Sequence, residues 1–115
     1  MDQIKALKRK IKKFSDDRDW NKFHSPKNLA MALSVEVAEV LEIFQWLTEN
    51  ESKRLTEKKL EMLKDELADT YIYLLKLADH YGVDLISEAN RKIKKSALKY
   101  PVHKFKGKAD KYTEL

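Results

Sequence analysis

The sequence predicts an all-α protein, and three observations carry that prediction. Among 115 residues there are two glycines and two prolines, while hydrophobic residues make up 43% and charged residues 37%. So few turn formers, beside abundant Glu, Lys, Leu and Ala, favour long helices joined by short connections. Apolar residues recur at helical spacing in four stretches. Strand signals are absent, with no sustained alternation and no Asn-Gly type hairpin turn. The length suits one domain able to bury a core without covalent staples.

The elements follow in chain order. A first helix is expected over about 2–16, where Ile4, Leu7, Ile11 and Phe14 form an apolar stripe beneath a basic outer face. It runs into "SDDRDWNKFHSPKN", a polar and aromatic connection. Ser25 followed by Pro26 is a start signal, an N-cap and then a residue whose missing N–H costs nothing at the first helical position. The second helix is expected to reach about Leu47, with "TENESKRLT" as a short loop. Thr56 opens a third helix that runs to Tyr81, where Gly82 stops it. Asp84 caps a fourth, from about Leu85 to Lys99, and Pro101 ends it. Residues 1–101 are therefore expected to form a helical domain. Residues 102–115, "VHKFKGKADKYTEL", form a basic tail that is either without fixed structure or docked on a neighbouring subunit.

Composition narrows the chemistry. There are no cysteines, which excludes disulfides, thiolate zinc sites and a cysteine nucleophile, and suits a reducing cytosol. No apolar run approaches the ~18–20 residues that span a bilayer, and "MDQIKALKRKIKKF" lacks a signal-peptide core, so a soluble cytoplasmic protein is expected. The net charge is +5 but unevenly placed: residues 1–13 hold six Lys/Arg and one acid, residues 34–69 hold ten acids and five bases, and residues 91–111 hold nine Lys/Arg and one acid. Basic ends around an acidic middle suit an anionic ligand approaching a metal site, and equally nucleic acid.

The acidic middle has a pattern. With Glu36 as origin and 100° per residue, Leu47, Val40, Leu33, Phe44 and Val37 fall within about 100° on one side, and Ile43 about 20° on the other. Glu36 thus lies inside the apolar stripe, Glu39 lies on its border, and Glu42 lies further round in a position suited to solvent. The third helix repeats the plan: Glu66 lies among Leu77, Leu63, Leu74 and Leu67, Asp69 takes the place of Glu39, and Tyr73 that of Ile43. A short connection makes the two helices antiparallel neighbours, which brings four carboxylates to one side. Such a group needs protons or a counter-charge, and all-oxygen ligation suits Mg²⁺ or Mn²⁺. The alternative is that these acids sit at helix borders and pair with lysines. A di-iron carboxylate site is disfavoured, because neither helix carries Glu-x-x-His.

"RDWNKFHSPKN" gathers Trp20, His24 and Asn28 near a helix N-terminus, where backbone N–H groups favour anions. Trp46 closes the second helix on the carboxylate side. Each tryptophan either fills a core or offers a flat ring on which a nucleobase stacks. His24 by itself suits a capping or surface position as well as a functional one, and Lys95 suits a solvated face as well as a phosphate contact.

"RDWNKFHSPKNLAMALSVEVAEVLEIFQW", "DELADTYIYLLKLADHYGVDL", "KYP" and "KADKYTEL" together resemble the MazG-like all-α nucleoside triphosphate pyrophosphohydrolases, nearest the branch that contains the dCTP pyrophosphatases. The resemblance runs from about residue 14 to the C-terminus. It implies a four-helix MazG-like bundle assembling with neighbouring subunits, as a homotetramer built from two dimers with sites at subunit junctions. It implies cleavage between the α and β phosphates, giving a monophosphate and pyrophosphate, with Glu36, Glu39, Glu66 and Asp69 binding Mg²⁺ and one glutamate acting as base. It further implies a base pocket of Trp20, His24, Trp46 and Tyr73 with Asn28 beside them, and leaves Lys95 available for phosphate. One departure stands out: near relatives often carry Asn five residues before the Pro of "KYP", where this chain has Ser96.

The leading expectation is a Mg²⁺-dependent pyrophosphohydrolase acting on dCTP or a similar deoxynucleotide, in nucleotide-pool sanitation. Alternatives are a dUTP- or damaged-base-specific enzyme of the same type, or a non-enzymatic basic helical protein that binds nucleic acid. The last leaves Glu36 and Glu66 in apolar stripes without a reason.

Overall fold

Four short polar side chains mark where the long helices begin. Asp2, Ser25, Thr56 and Asp84 all have extended backbones, and each accepts a hydrogen bond from a nearby helical N–H: those of Ile4 (2.9 Å), Asn28 (3.2 Å), Lys59 (3.2 Å) and Ser87 (3.2 Å). Each such cap stabilises its helix by about 1 kcal/mol. The computed structural model describes residues 2–109, and every regular element in that span is helical. In order these are α1 (Gln3–Asp17), a 3-10 turn (Asn21–Phe23), α2 (Pro26–Phe44), α3 (Glu49–Lys53), α4 (Glu57–His80), α5 (Leu85–Lys99) and α6 (Val102–Phe105). Met1 and residues 110–115 lie outside the described residues, and with them most of the "KADKYTEL" stretch.

The expected all-α class holds, and two connections are more ordered than expected. The second helix ends at Phe44 rather than about Leu47, because a new helix starts at once. Thr48 and Glu51 form a reciprocal capping box, with Thr48 Oγ1 accepting from the Glu51 N–H (3.1 Å) and Glu51 Oε1 from the Thr48 N–H (2.9 Å). The expected loop therefore contains α3. Beyond Pro101 the basic tail forms one further helical turn, α6, with the Phe105 ring edge-on to Tyr100 at 4.7 Å.

The chain divides between Tyr81 and Gly82 into two compact units, residues 1–81 and 82–115. Gly82, at φ +65°, adopts the left-handed conformation that commonly ends a helix. In the first unit α2 and α4 pack along their lengths, with α1 against the later part of α4. The pairing is antiparallel: His24 meets Tyr73 at one end, and Glu36 meets Glu66 further along. Leu29, Glu36 and Ile43, seven residues apart, form the inward line of α2, and both leucine and isoleucine are buried. Glu36 thus occupies a seam position between two core side chains. On α4 the buried apolar residues are Leu75, 2% exposed, and Ala78.

The apolar stripes read from sequence are wider than the packed seam. Val37 and Leu67, each 51% exposed, lie on open surface, as do Leu41, Leu60 and Leu74. Two helices in contact cover only a narrow strip of one another, so residues about 100° from the seam stay outside it. The second unit holds α5 and α6, with Ile93, Leu98 and Val102 exposed. No helix among the described residues is long and apolar enough to cross a membrane.

Candidate functional site

Glu36 and Glu39 stand one turn apart on α2, and Glu66 approaches them from α4. Carboxylate oxygens of the three lie within 4.8 Å of one another, and all three residues are half-buried. Among the described residues none of them enters an ion pair, so the alternative of helix-border acids neutralised by lysines does not describe them. Oε2 of Glu36 and Oε2 of Glu66 are shielded from solvent and have no hydrogen-bond partner. An orphaned buried carboxylate oxygen is costly unless something completes its coordination.

The acidities respond accordingly. Glu66 is pushed up to about 8, chiefly because its carboxyl is held by the Glu39 and Glu36 carboxylates through a shared proton, with desolvation and their charge adding to the effect. Glu36 is raised by desolvation first, and then by the negative charges of Glu39 and Asp69. One proton on Glu66 thus stands where a cation would otherwise balance the cluster. Three hard oxygen donors with two unpartnered oxygens fit a divalent ion such as Mg²⁺ or Mn²⁺. Asp69 is exposed and outside this tight set, although its charge reaches Glu36. Glu42 is exposed.

Next to Asp69, one turn along α4 from Glu66, a cavity of about 450 Å³ opens between α1, the aromatic connection and α4. Trp20, His24, Asp69 and Tyr73 line it, which brings together four of the residues singled out from sequence. Trp20 is 44% exposed, with its ring edge-on to Phe14 at 5.6 Å. The His24 ring meets Tyr73 edge-on at 6.4 Å. His24 Nδ1 is buried without a partner, and burial followed by the charge of Lys76 lowers its pKa. His24 ends the 3-10 turn, its N–H bonded to the Asn21 carbonyl at 3.0 Å, while its ring lines the cavity.

The other sequence candidates lie elsewhere. Asn28 lines neither this cavity nor the one described next: its Nδ2 donates to the Phe23 carbonyl (3.0 Å), which fastens the 3-10 turn to the start of α2. Trp46 is 88% exposed just beyond α2, so it fills no core within the chain, and it lines neither cavity. Lys95 is exposed on α5, in the second unit.

Two residues on the cavity walls were not singled out from sequence. Lys76, half-buried on α4, donates to Ser15 Oγ at 2.5 Å, and Ser15 is the buried polar residue of α1. Both line the 450 Å³ cavity and a second one of about 570 Å³ on its far side, which Lys8, Leu29 and Asp79 also line. The signal was present: in "YIYLLKLAD" a single cation sits among apolar residues, two turns beyond Asp69.

Comparisons with known proteins agree with one another. A family model described as "MazG-like family" matches residues 31–115. Mouse dCTP pyrophosphatase 1 is 39% identical over 114 residues, covering 97% of this chain and 67% of the mouse protein. The human protein of the same name is 37% identical over 114 residues, with the same coverage of each chain. A crystal structure of a pyrophosphatase from Archaeoglobus fulgidus superposes with a TM-score of 0.83 at 40% identity, covering 88% of this chain and 94% of that one.

Proposed function

We propose that this chain, which belongs to the MazG-like family and is a nucleotide pyrophosphohydrolase, cleaves dCTP or a closely similar deoxynucleotide between its α and β phosphates. The products are the monophosphate and pyrophosphate, and the role is nucleotide-pool sanitation in the cytoplasm. One observation carries the reading: the unpartnered, buried carboxylate oxygens of Glu36 and Glu66, set in a three-carboxylate cluster beside an aromatic cavity.

Glu36, Glu39 and Glu66, with Asp69 at the cavity edge, would hold Mg²⁺ or Mn²⁺. When bound, the ion supplies positive charge that neutralises the triphosphate oxygens and acidifies water near the phosphorus. The chain's own residues do the rest. A glutamate carboxylate takes the proton released by the attacking water. Trp20, His24 and Tyr73 enclose the base and sugar, Trp46 supplies a further ring, and Lys95 remains available for phosphate. Asn28 positions this wall by holding Phe23. Ser96 stands where near relatives often carry Asn, and we assign to it a change in phosphate affinity or substrate choice.

We further propose a four-helix bundle in which residues 1–101 form the helical domain and 102–115 dock on a neighbour, in a homotetramer of two dimers. Support comes from the exposed line Leu60, Leu67 and Leu74 on α4, and from Val37 and Leu41 on α2. The largely exposed Trp46 agrees, since a site at a subunit junction would receive its last ring from a neighbour.

The test is pyrophosphate release from a panel of nucleoside triphosphates with Mg²⁺. The expected result is pyrophosphate from dCTP, and none from the Glu36→Gln variant. Orthophosphate as the product, or no turnover of any triphosphate, overturns the reading. A dUTP- or damaged-base preference is the second outcome that the same panel separates.

A further inference from the structure

Lys76 is an expensive residue to place where it is. Its ammonium is half-buried between α1 and α4; the charge of Asp16 reaches it, but among the described residues it makes no direct ion pair with a carboxylate. Its one hydrogen bond there, to Ser15 Oγ, uses one of three donor hydrogens. Of the lysines on the two cavity walls, Lys76 alone lines both. Ser15, 2% exposed, holds more than the lysine: its carbonyl also accepts the Trp20 N–H at 3.0 Å. A single buried residue thus ties the ammonium to the backbone of the aromatic wall.

Position along α4 separates a base contact from a phosphate contact. Asp69 marks the carboxylate end of the cavity, Tyr73 lies one turn further, and Lys76 lies two turns, about 10 Å, beyond Asp69. A nucleotide whose phosphates meet the carboxylates extends its base toward Lys76. His24, whose ring meets Tyr73 across the same cavity, has a buried Nδ1 without a partner, a polar atom that a ligand there could satisfy.

We propose that Lys76, tethered by Ser15, reads the base, donating a hydrogen bond to O2, the one carbonyl oxygen of cytosine. The proposal rests on the dCTP reading above and adds to it the residue that favours a pyrimidine with an oxygen at that position.

Calorimetric titration of the metal-free protein with dCMP and with its 2-thio analogue tests this, because sulfur is a weak acceptor. The wild type should bind the thio analogue roughly ten-fold more weakly than dCMP. Lys76→Met should bind dCMP roughly ten-fold or more weakly, and should no longer distinguish the two ligands. Ser15→Ala should lose part of the discrimination, and Lys76→Gln, a second variant that keeps a neutral donor, should retain part of it. A thio penalty that persists undiminished in Lys76→Met, or dCMP affinity unchanged in that variant, overturns the proposal. Triphosphate turnover by the wild type separates the two levels: dCTP hydrolysis with an undiminished thio penalty in Lys76→Met defeats the lysine's role alone, whereas no hydrolysis of any triphosphate defeats the activity and this proposal with it.

Discussion

Glu36 and Glu66 meet across the α2–α4 seam, each with one carboxylate oxygen closed off from water and bonded to nothing. Like charges so placed hold the two helices together only when a proton or a cation lies between them. Glu66→Gln removes one charge and one ligand. The metal-free variant should melt a few degrees higher than the wild type, while Mg²⁺ should no longer raise its melting temperature. Pyrophosphate release should fall roughly a hundred-fold or more, the scale on which loss of a charge-stabilising group acts. Calorimetric melts with EDTA and with Mg²⁺ check the first two outcomes.

The same pair sets a pH dependence. The folded-state pKa of Glu66, about 8, lies above the ordinary value of 4.5, so the folded protein binds a proton that the unfolded chain has released. Stability of the metal-free protein should therefore fall as pH rises from about 4.5 to about 8. His24 opposes this below its ordinary value of 6.5, because its lowered pKa makes stability rise with pH there. The fall should thus be clearest between about 6.5 and 8, and Glu66→Gln should flatten it. Mg²⁺ should also flatten it, since a cation replaces the proton, and Mg²⁺ affinity should climb over the same interval. Melting temperature against pH, with and without the ion, reads both.

The two tryptophans should separate when mutated. Trp46, 88% exposed, has no packing role within the chain, so Trp46→Ala should leave unfolding stability within about 0.5 kcal/mol of wild type while raising the KM for dCTP roughly ten-fold. Trp20 rests on Phe14, so Trp20→Ala should lower both stability and affinity. Paired melts and kinetics distinguish the two patterns.

Leu75 and Leu67 offer the corresponding contrast for packing. Leu75, 2% exposed, should cost about 2–5 kcal/mol when cut to alanine, measured by urea unfolding. Leu67 lies on open surface, and Leu67→Glu should act by dissociating the proposed homotetramer, read by analytical ultracentrifugation.

Much of this was legible in the sequence because caps and periodicity are local. Ser25, Thr56 and Asp84 announced three helix starts, and Gly82 a stop, within a residue or so. The acids could be placed because two helices carry the same pattern relative to their apolar stripes. What escaped depended on distance along the chain. The Ser15–Lys76 bond joins residues 61 positions apart, and no local pattern marks serine as the partner of a buried lysine. The Thr48–Glu51 capping box is local, but its polar composition reads as loop unless the reciprocal pair is noticed. Asp69 matched Glu39 in angle, yet lies outside the tight cluster, since equal angles on two helices do not give equal depth once the helices are packed.

The thinness of the packed seam has its own consequence. Among the described residues, four apolar side chains are buried: Leu29, Ile43, Leu75 and Ala78. Such a core leaves little to hold a solitary subunit together against its conformational entropy. In the proposed assembly the missing apolar burial is supplied by other copies, so forming the subunit and forming the oligomer become one event. Dilution then acts as a denaturant, and the concentration of enzyme in its compartment helps decide whether the carboxylates of α2 and α4 come together at all.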